Sequence, residues 1–240
     1  MTASHASSAQ DPALYDGVAE HWWDDSIKWV RTLQAMVPAR LRFFEAECAM
    51  WQGQDVLDLG CAGGFMAEAL ARKGARVSGL DPAADAVAAA REHAAGEGLS
   101  IDYAVGVGEA LPYPDDAFDA VVCVDVLEHV TDLGAVLEEI RRVLRPGGWF
   151  CFDTINDNPL AAFAVVTMAE GVLGLLPKGA HDPELFIKPA HLRGALDGLG
   201  FDVARFRGLG PTGLNRRGDF TFGTHPLTSI IYIGTARAPA

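Results

Sequence analysis

The chain is short of positive charge. It holds 19 lysines and arginines against 32 acidic residues, a formal net charge of −13 over 240 residues. A surface that acidic repels a phosphate backbone, and the densest basic stretches are only the pairs Arg141–Arg142 and Arg216–Arg217. A nucleic-acid partner is therefore not expected. Cysteine is scarce too. Cys48, Cys61, Cys123 and Cys151 show no CxxC or CxH spacing, so reduced thiols in a cytoplasmic protein are the simplest reading. No positive region followed by an apolar run opens the chain, and no secretory leader is expected. Residues 1–14, small and polar, read as disordered. A clean apolar run of membrane-spanning length is missing as well, because the best candidate, residues 159–176, is interrupted by Glu170.

What is present suits one globular domain, with half of the residues hydrophobic and enough chain to bury a core. Residues 15–50 read as a helical cap, since Val18, Trp22, Trp29, Leu33 and Met36 recur at helical spacing. From residue 55 the pattern changes. Short apolar runs at 55–59, 76–81, 100–106, 118–126 and 149–154 alternate with Ala-rich helical stretches at 65–73, 83–96 and 133–145. Parallel strands need such crossovers, so an α/β, doubly wound sheet is expected. A helix at 189–199 and strands at 201–209 and 229–236, separated by a Gly-rich polar loop, close the sheet edge as a hairpin. The expectation is one domain over residues 15–240, with seven strands, mostly parallel, and an apolar insertion at 157–188.

The sharpest local signal is Asp58-Leu59-Gly60-Cys61-Ala62-Gly63-Gly64, where the first strand meets the helix after it. Glycines there let the backbone turn tightly and approach a ligand, and open parallel sheets bind ligands at this strand end. Asp81 ends the second strand and can accept hydrogen bonds from both ribose hydroxyls. A dinucleotide fingerprint fails twice, because Ala62 and Phe65 stand at its second and third glycine positions. Asp58 suits instead a ligand with an ammonium group and no phosphate, namely S-adenosylmethionine (SAM). A plainer reading exists: any βαβ unit places glycines at its first turn.

The loop, Asp81, the stretch Ala110-Leu111-Pro112-Tyr113-Pro114-Asp115 and Leu127-Glu128-His129-Val130 with Leu144-Arg145-Pro146-Gly147-Gly148 together resemble class I methyltransferases. Outside that core, His21-Trp22-Trp23-Asp24, Pro38-Ala39-Arg40-Leu41, Pro177-Lys178-Gly179-Ala180-His181-Asp182 and Phe186-Ile187-Lys188-Pro189 are similar to the ubiquinone-biosynthesis O-methyltransferase family. The resemblance implies a Rossmann-like class I methyltransferase fold with an antiparallel C-terminal hairpin strand. It also implies that Gly60, Cys61, Ala62 and Gly63 lie against the methionine part of SAM, with the backbone at Val124 beside them. Asp81 and Pro82 would meet the ribose, Arg40 the SAM carboxylate, and Gly108 with Glu109 the adenine end. Two positions depart from the pattern: Ala62 stands where glycine is common, and Val107 where many methyltransferases place an acid for the adenine amino group.

Methyl transfer from a sulfonium to a phenol or catechol needs position and removal of a proton. A phenol of pKa ~10 lies about three units above neutral, a cost of roughly 4 kcal/mol for its phenolate. Asp125, Glu128 and His129 follow the fourth strand at spacings that a helical turn would gather on one side. They form a candidate acid–base cluster or a site for a divalent cation such as Mg, with Asn156 as a further ligand from the next strand. The plain alternative has Glu128 capping a turn and His129 bonding backbone. His181 and His191 read as structural or substrate-loop residues. The insertion reads as a lid, or as an interfacial segment that meets the membrane with Lys178 and Lys188 at the headgroups. A polyprenyl quinone precursor is the acceptor the resemblance implies. A soluble phenolic metabolite, and a non-catalytic SAM- or lipid-binding role, stay open beside it.

Overall fold

The computed structural model describes residue 18, residues 21–48 and residues 51–240. The expected disorder at 1–14 and both ends of the expected helical cap at 15–50 lie outside the described residues. Five strands run parallel: β1 (Asp55–Leu59), β2 (Arg76–Asp81), β3 (Ile101–Val105), β4 (Phe118–Cys123) and β5 (Leu144–Ile155). Four more pair antiparallel: β6 (Asp202–Val203), β7 (Arg207–Leu214), β8 (Phe220–His225) and β9 (Ile231–Arg237). The order across the sheet is β3-β2-β1-β4-β5-β9-β7-β8, with β6 on β9. Strand order reverses between β1 and β4, which opens a crevice at their carboxyl ends.

Period-two alternation in the strands builds two cores. Val56, Val77, Val122 and Cys151 face one way, against α1 (Lys28–Cys48), α2 (Phe65–Arg72) and α3 (Ala84–Gly96). Leu57, Val121, Phe150 and Phe152 face the other way, against α4 (Leu133–Val143) and α6 (Pro189–Gly198). The result is helix, sheet, helix. On α1 the buried positions Met36, Arg40 and Phe44 repeat every fourth residue, and the helix continues through Pro38, which lies on its exposed side. Asp132 caps α4 by accepting from the N–H of Ala135 at 3.0 Å.

Four elements differ from the sequence reading, the first being the strand expected at 201–209, which is split between β6 and β7. The Gly-rich stretch expected to be a loop holds the β7–β8 hairpin. Phe220 and Phe222 alternate with Thr221, and Arg31 of α1 anchors the turn by gripping Asp219 through Nε and Nη2 at 3.0–3.2 Å. β5 begins at Leu144, where the helix expected to reach residue 145 has already ended. The insertion is α5 (Pro159–Ala162) running directly into a π-helical segment, Phe163–Val172, a geometry found mostly as single turns near functional sites. Among the described residues no helix is long and apolar enough to cross a membrane.

Because Phe44 is fully buried between α1 and the sheet, Phe44→Ala is expected to cost about 3–5 kcal/mol of unfolding free energy. The urea midpoint at constant denaturant slope is the measurement; a loss below about 1 kcal/mol would mean that α1 docks loosely.

Candidate active site

The crevice begins at the loop after β1. Gly60 sits at φ 76°, a left-handed conformation, and a Cβ there would collide with the Val126 side chain. Gly63 lies under Trp22, whose ring a Cβ would approach to 2.5 Å. Ala62 adopts the left-handed region too, at φ 42°, and its N–H donates to Asp81 Oδ2 at 2.9 Å. Asp81 Oδ1 accepts from the N–H of Ala83 at 2.9 Å. Two backbone bonds thus fix the Asp81 carboxylate at the end of β2 and offset the strain at Ala62.

A cavity of about 780 Å³ opens above this loop. Arg40, Asp58, Gly60, Cys61, Ala62, Asp81, Pro82, Gly108, Glu109 and Val124 all line it, and so do Asp125 and His129. Gly63 does not; it lies one layer back beneath Trp22. The far end is apolar. Met36 and Val37 of α1, Val165 and Leu176 of the insertion, and Phe220 and Phe222 of β8 enclose it. Trp22 closes the near side, wedged edge-on against Trp29 and Phe65, while the Trp23 indole donates to the Gly63 carbonyl at 2.9 Å.

Arg40 is buried and spoken for twice. Its Nε and Nη2 donate to Asp153 at 2.6 and 3.2 Å, and Nη2 reaches Asp125 at 2.5 Å. Burial works against the guanidinium charge, but the two carboxylates outweigh it and hold the pKa above its ordinary value. Asp125 itself stands at φ 55°, held there by its N–H bond to Asp153 Oδ1 at 2.9 Å. Asp58 is buried with both carboxylate oxygens lacking a side-chain partner. Burial, with Asp81 adding to it, pushes its carboxyl up to about 7.

The metal-ligating atoms that cluster with those of Glu128 and His129 come from His181, while Asp125 pairs with Arg40. Residues 127–129 make a single 3₁₀ turn, preceded by the left-handed Asp125, whose carboxylate meets Arg40. Asn156 stands apart as well, its Nδ2 donating to the Thr228 carbonyl at 2.8 Å. Glu128 points under the turn, where Oε2 accepts from the Thr154 hydroxyl at 2.7 Å and Oε1 has no partner. Burial, reinforced by Asp125, pushes its carboxyl up to about 8. His129 is held well below its ordinary pKa by burial and then by His181, and its Nε2 has no partner. His181 is the residue the sequence reading set aside. Its ring lies 4.9 Å from that of His129, and ligand atoms of Glu128, His129 and His181 fall within 4.8 Å of one another.

Residues 57–152 match a family described as a methyltransferase domain. A ubiquinone biosynthesis O-methyltransferase of Paracidovorax citrulli is 39% identical over 219 residues, covering 89% of this chain and 91% of its own. The protein of the same name from Klebsiella pneumoniae is 40% identical over 187 residues, covering 77% and 76%. The chain belongs to the ubiquinone biosynthesis O-methyltransferase family. Its activity is SAM-dependent O-methyl transfer. Among solved structures, the [4+2]-cyclase SpnF superposes with a TM-score of 0.68 at 20% identity, covering 97% of both chains. A SAM-dependent methyltransferase of Thermotoga maritima gives 0.66 at 14% identity, covering 94% and 98%. These two likenesses speak for the fold alone.

In this family member the hairpin aromatics Phe220 and Phe222 were missed in the sequence because glycine and proline surround them, although the alternation Phe-Thr-Phe was there to see. His181 lies far from Glu128 and His129 in sequence, and no spacing rule connects them.

The raised Glu128 carboxyl has a signed consequence. Folded, it keeps its proton up to about pH 8, whereas the unfolded chain releases it near the ordinary value of about 4.3. Its contribution to stability is thus complete below about pH 4.3 and is lost as pH rises toward 8. Glu128→Gln keeps an oxygen for the Thr154 hydroxyl and removes the titration. Its melting temperature is expected to fall less than that of the parent protein between pH 5 and pH 8; equal falls would mean that Glu128 is ionised in the fold.

Proposed function

We propose that the protein methylates a phenolic or catechol hydroxyl of a polyprenyl quinone precursor, with SAM in the polar end of the cavity and the acceptor's chain in its apolar end. One observation carries the reading: a single cavity joins the Gly60 loop and Asp81 to an apolar chamber walled by α1, the insertion and β8. The names of the relatives, ubiquinone biosynthesis O-methyltransferases, point the same way.

SAM fits the residues at the polar end. Asp58 is a buried carboxylate without a side-chain partner, which an ammonium group would satisfy. Asp81 faces the cavity for the ribose, with Pro82 beside it, and Arg40 lines the same cavity as the cation for a carboxylate. Cys61, Ala62 and the Val124 backbone line the methionine end, with Gly63 supporting the loop from behind. Gly108 and Glu109 lie at the adenine end, where Glu109 also accepts from the Thr131 N–H at 3.0 Å. SAM supplies an activated methyl group, and the chain's own part is to align donor and acceptor and exclude water.

The acceptor hydroxyl is read as meeting Glu128, His129 and His181, with Asp125 beside them on the Arg40 side. The orphaned Glu128 Oε1 and His129 Nε2 fit a divalent cation, which when bound would lower the pKa of the phenol as a Lewis acid. One carboxylate with two imidazoles suits Zn or Mn better than Mg. Asp125 and Asn156, engaged by Arg40 and Thr228, are left out of that ligand set.

The insertion is read as membrane contact as well as lid. Leu160 and Phe163 are 56% and 55% exposed and Val172 66%, while Val165 packs inward. Such a patch on an acidic protein favours a bilayer over nucleic acid, with the protein cytoplasmic and peripheral at the inner membrane face.

The first test is methyl transfer from labelled SAM to prenylated and unprenylated catechols, with and without chelator and vesicles. Faster turnover of the prenylated acceptor is expected; transfer to neither sinks the reading. Leu160→Asp with Phe163→Asp should abolish flotation with phosphatidylcholine vesicles, and unchanged flotation removes the membrane contact. At pH 6, SAM binding should release about one proton, because the ammonium restores the Asp58 charge below its raised pKa of about 7. Calorimetry in buffers of differing ionisation enthalpy reads that proton, and Asp58→Asn should lose it.

A further inference from the structure

The helical part of the insertion, residues 159–172, carries one charged residue, Glu170, and it is turned inward. Glu170 is 6% exposed. Its Oε1 meets Nδ1 of His181 at 2.7 Å, and its Oε2 accepts the Gly179 N–H at 2.7 Å. A carboxylate is tolerated in such a place only when its oxygens are paired, and both are. The pairing also defines the imidazole. A carboxylate at Nδ1 takes the proton of that nitrogen as its donor, which in the neutral ring leaves Nε2 to accept a hydrogen bond or bind a cation. His181 lines the cavity beside His129. The Glu170 bond therefore ties the π-helical segment Phe163–Val172 to a ring that packs beside His129, in the turn after β4.

We propose that Glu170 is a positioning residue: it sets the place and tautomer of His181, so that the acceptor side of the site is complete only while the insertion is folded over the cavity. This rests on the reading of the cavity as an acceptor site. Leu160, Phe163 and Val172 point outward from the same insertion. Whatever engages that outer face thereby acts on a side chain inside the site.

The test is a double-mutant cycle with Glu170→Ala, His181→Ala and the double variant, reading kcat and SAM affinity. Each single variant should lose about 10- to 100-fold in kcat with SAM affinity changed less than about twofold. The double variant should be no worse than His181→Ala, because a residue acting through another has nothing further to lose. Glu170→Gln, whose amide oxygen still accepts from Nδ1–H, should recover part of the loss. Losses that multiply in the double variant would overturn the proposal. Nitrogen-15 NMR of the histidine rings gives a reading that needs no acceptor. His181 should be the Nδ1–H tautomer in the parent protein and a mixture in Glu170→Ala; an unchanged spectrum overturns the link. A protein that transfers nothing to any phenol would refute the acceptor reading, whereas the NMR result judges the Glu170 link by itself.

Discussion

The site depends on one buried cation. Arg40 lies in a low-dielectric interior where an unpaired guanidinium would be costly, and Asp153 and Asp125 are what make it tolerable there. The pairing binds three separate pieces of chain: α1, the end of β5 and the segment just after β4. Removing either acid leaves a buried charge short of a partner, and removing Arg40 leaves two acids facing each other. The left-handed backbone at Asp125 is held by the same group, through its N–H bond to Asp153. The direction of the following turn, and with it the placement of Glu128 and His129, thus descends from how Arg40 is neutralised.

The match to the general methyltransferase domain covers residues 57–152. Asp125 is inside it, but Arg40 and Asp153 are outside. The shared fold supplies the Gly60 loop and Asp81, which is why those could be read from sequence. The chamber beyond them is built from α1, the insertion and β8, all outside that span. At the cavity wall burial drives Asp58 and His129 toward their neutral forms, and beneath the turn it does the same to Glu128. A cationic ligand reverses that tendency for a carboxylate close to it, so the dry cavity and a sulfonium cofactor with an ammonium group suit each other physically.

The strands were legible because burial on both faces writes itself as short, nearly continuous apolar runs between helices. The strand reading of residues 55–59 and 76–81 agrees with β1 and β2 residue for residue. The β7–β8 hairpin was not legible by the same rule, since one strand is interrupted by Gly210, Pro211 and Gly213 and its register slips there. The grouping of Asp125 with Glu128 and His129 assumed an α-helical turn. The chain has a left-handed residue followed by a 3₁₀ turn there, and no residue type at position 125 announces it, since aspartate adopts the left-handed region only occasionally. His181 was illegible for another reason: tertiary contacts alone bring it to His129.

Glu170 illustrates what a polar residue can do in an apolar segment. The insertion has large apolar side chains on every side, among them Leu160, Phe163, Val165 and Val172, so hydrophobicity alone barely distinguishes one helical rotation from another. A carboxylate that finds two donors in only one orientation supplies that distinction. Rotate the segment and Glu170 enters the exposed apolar face, loses the Gly179 and His181 bonds, and is left unpaired. A neutral, fully apolar insertion would cover the cavity as well but would lack a fixed register. By the same argument the acid that interrupts the run, and argues against a membrane span, is the one that tells the segment which face to turn toward the site.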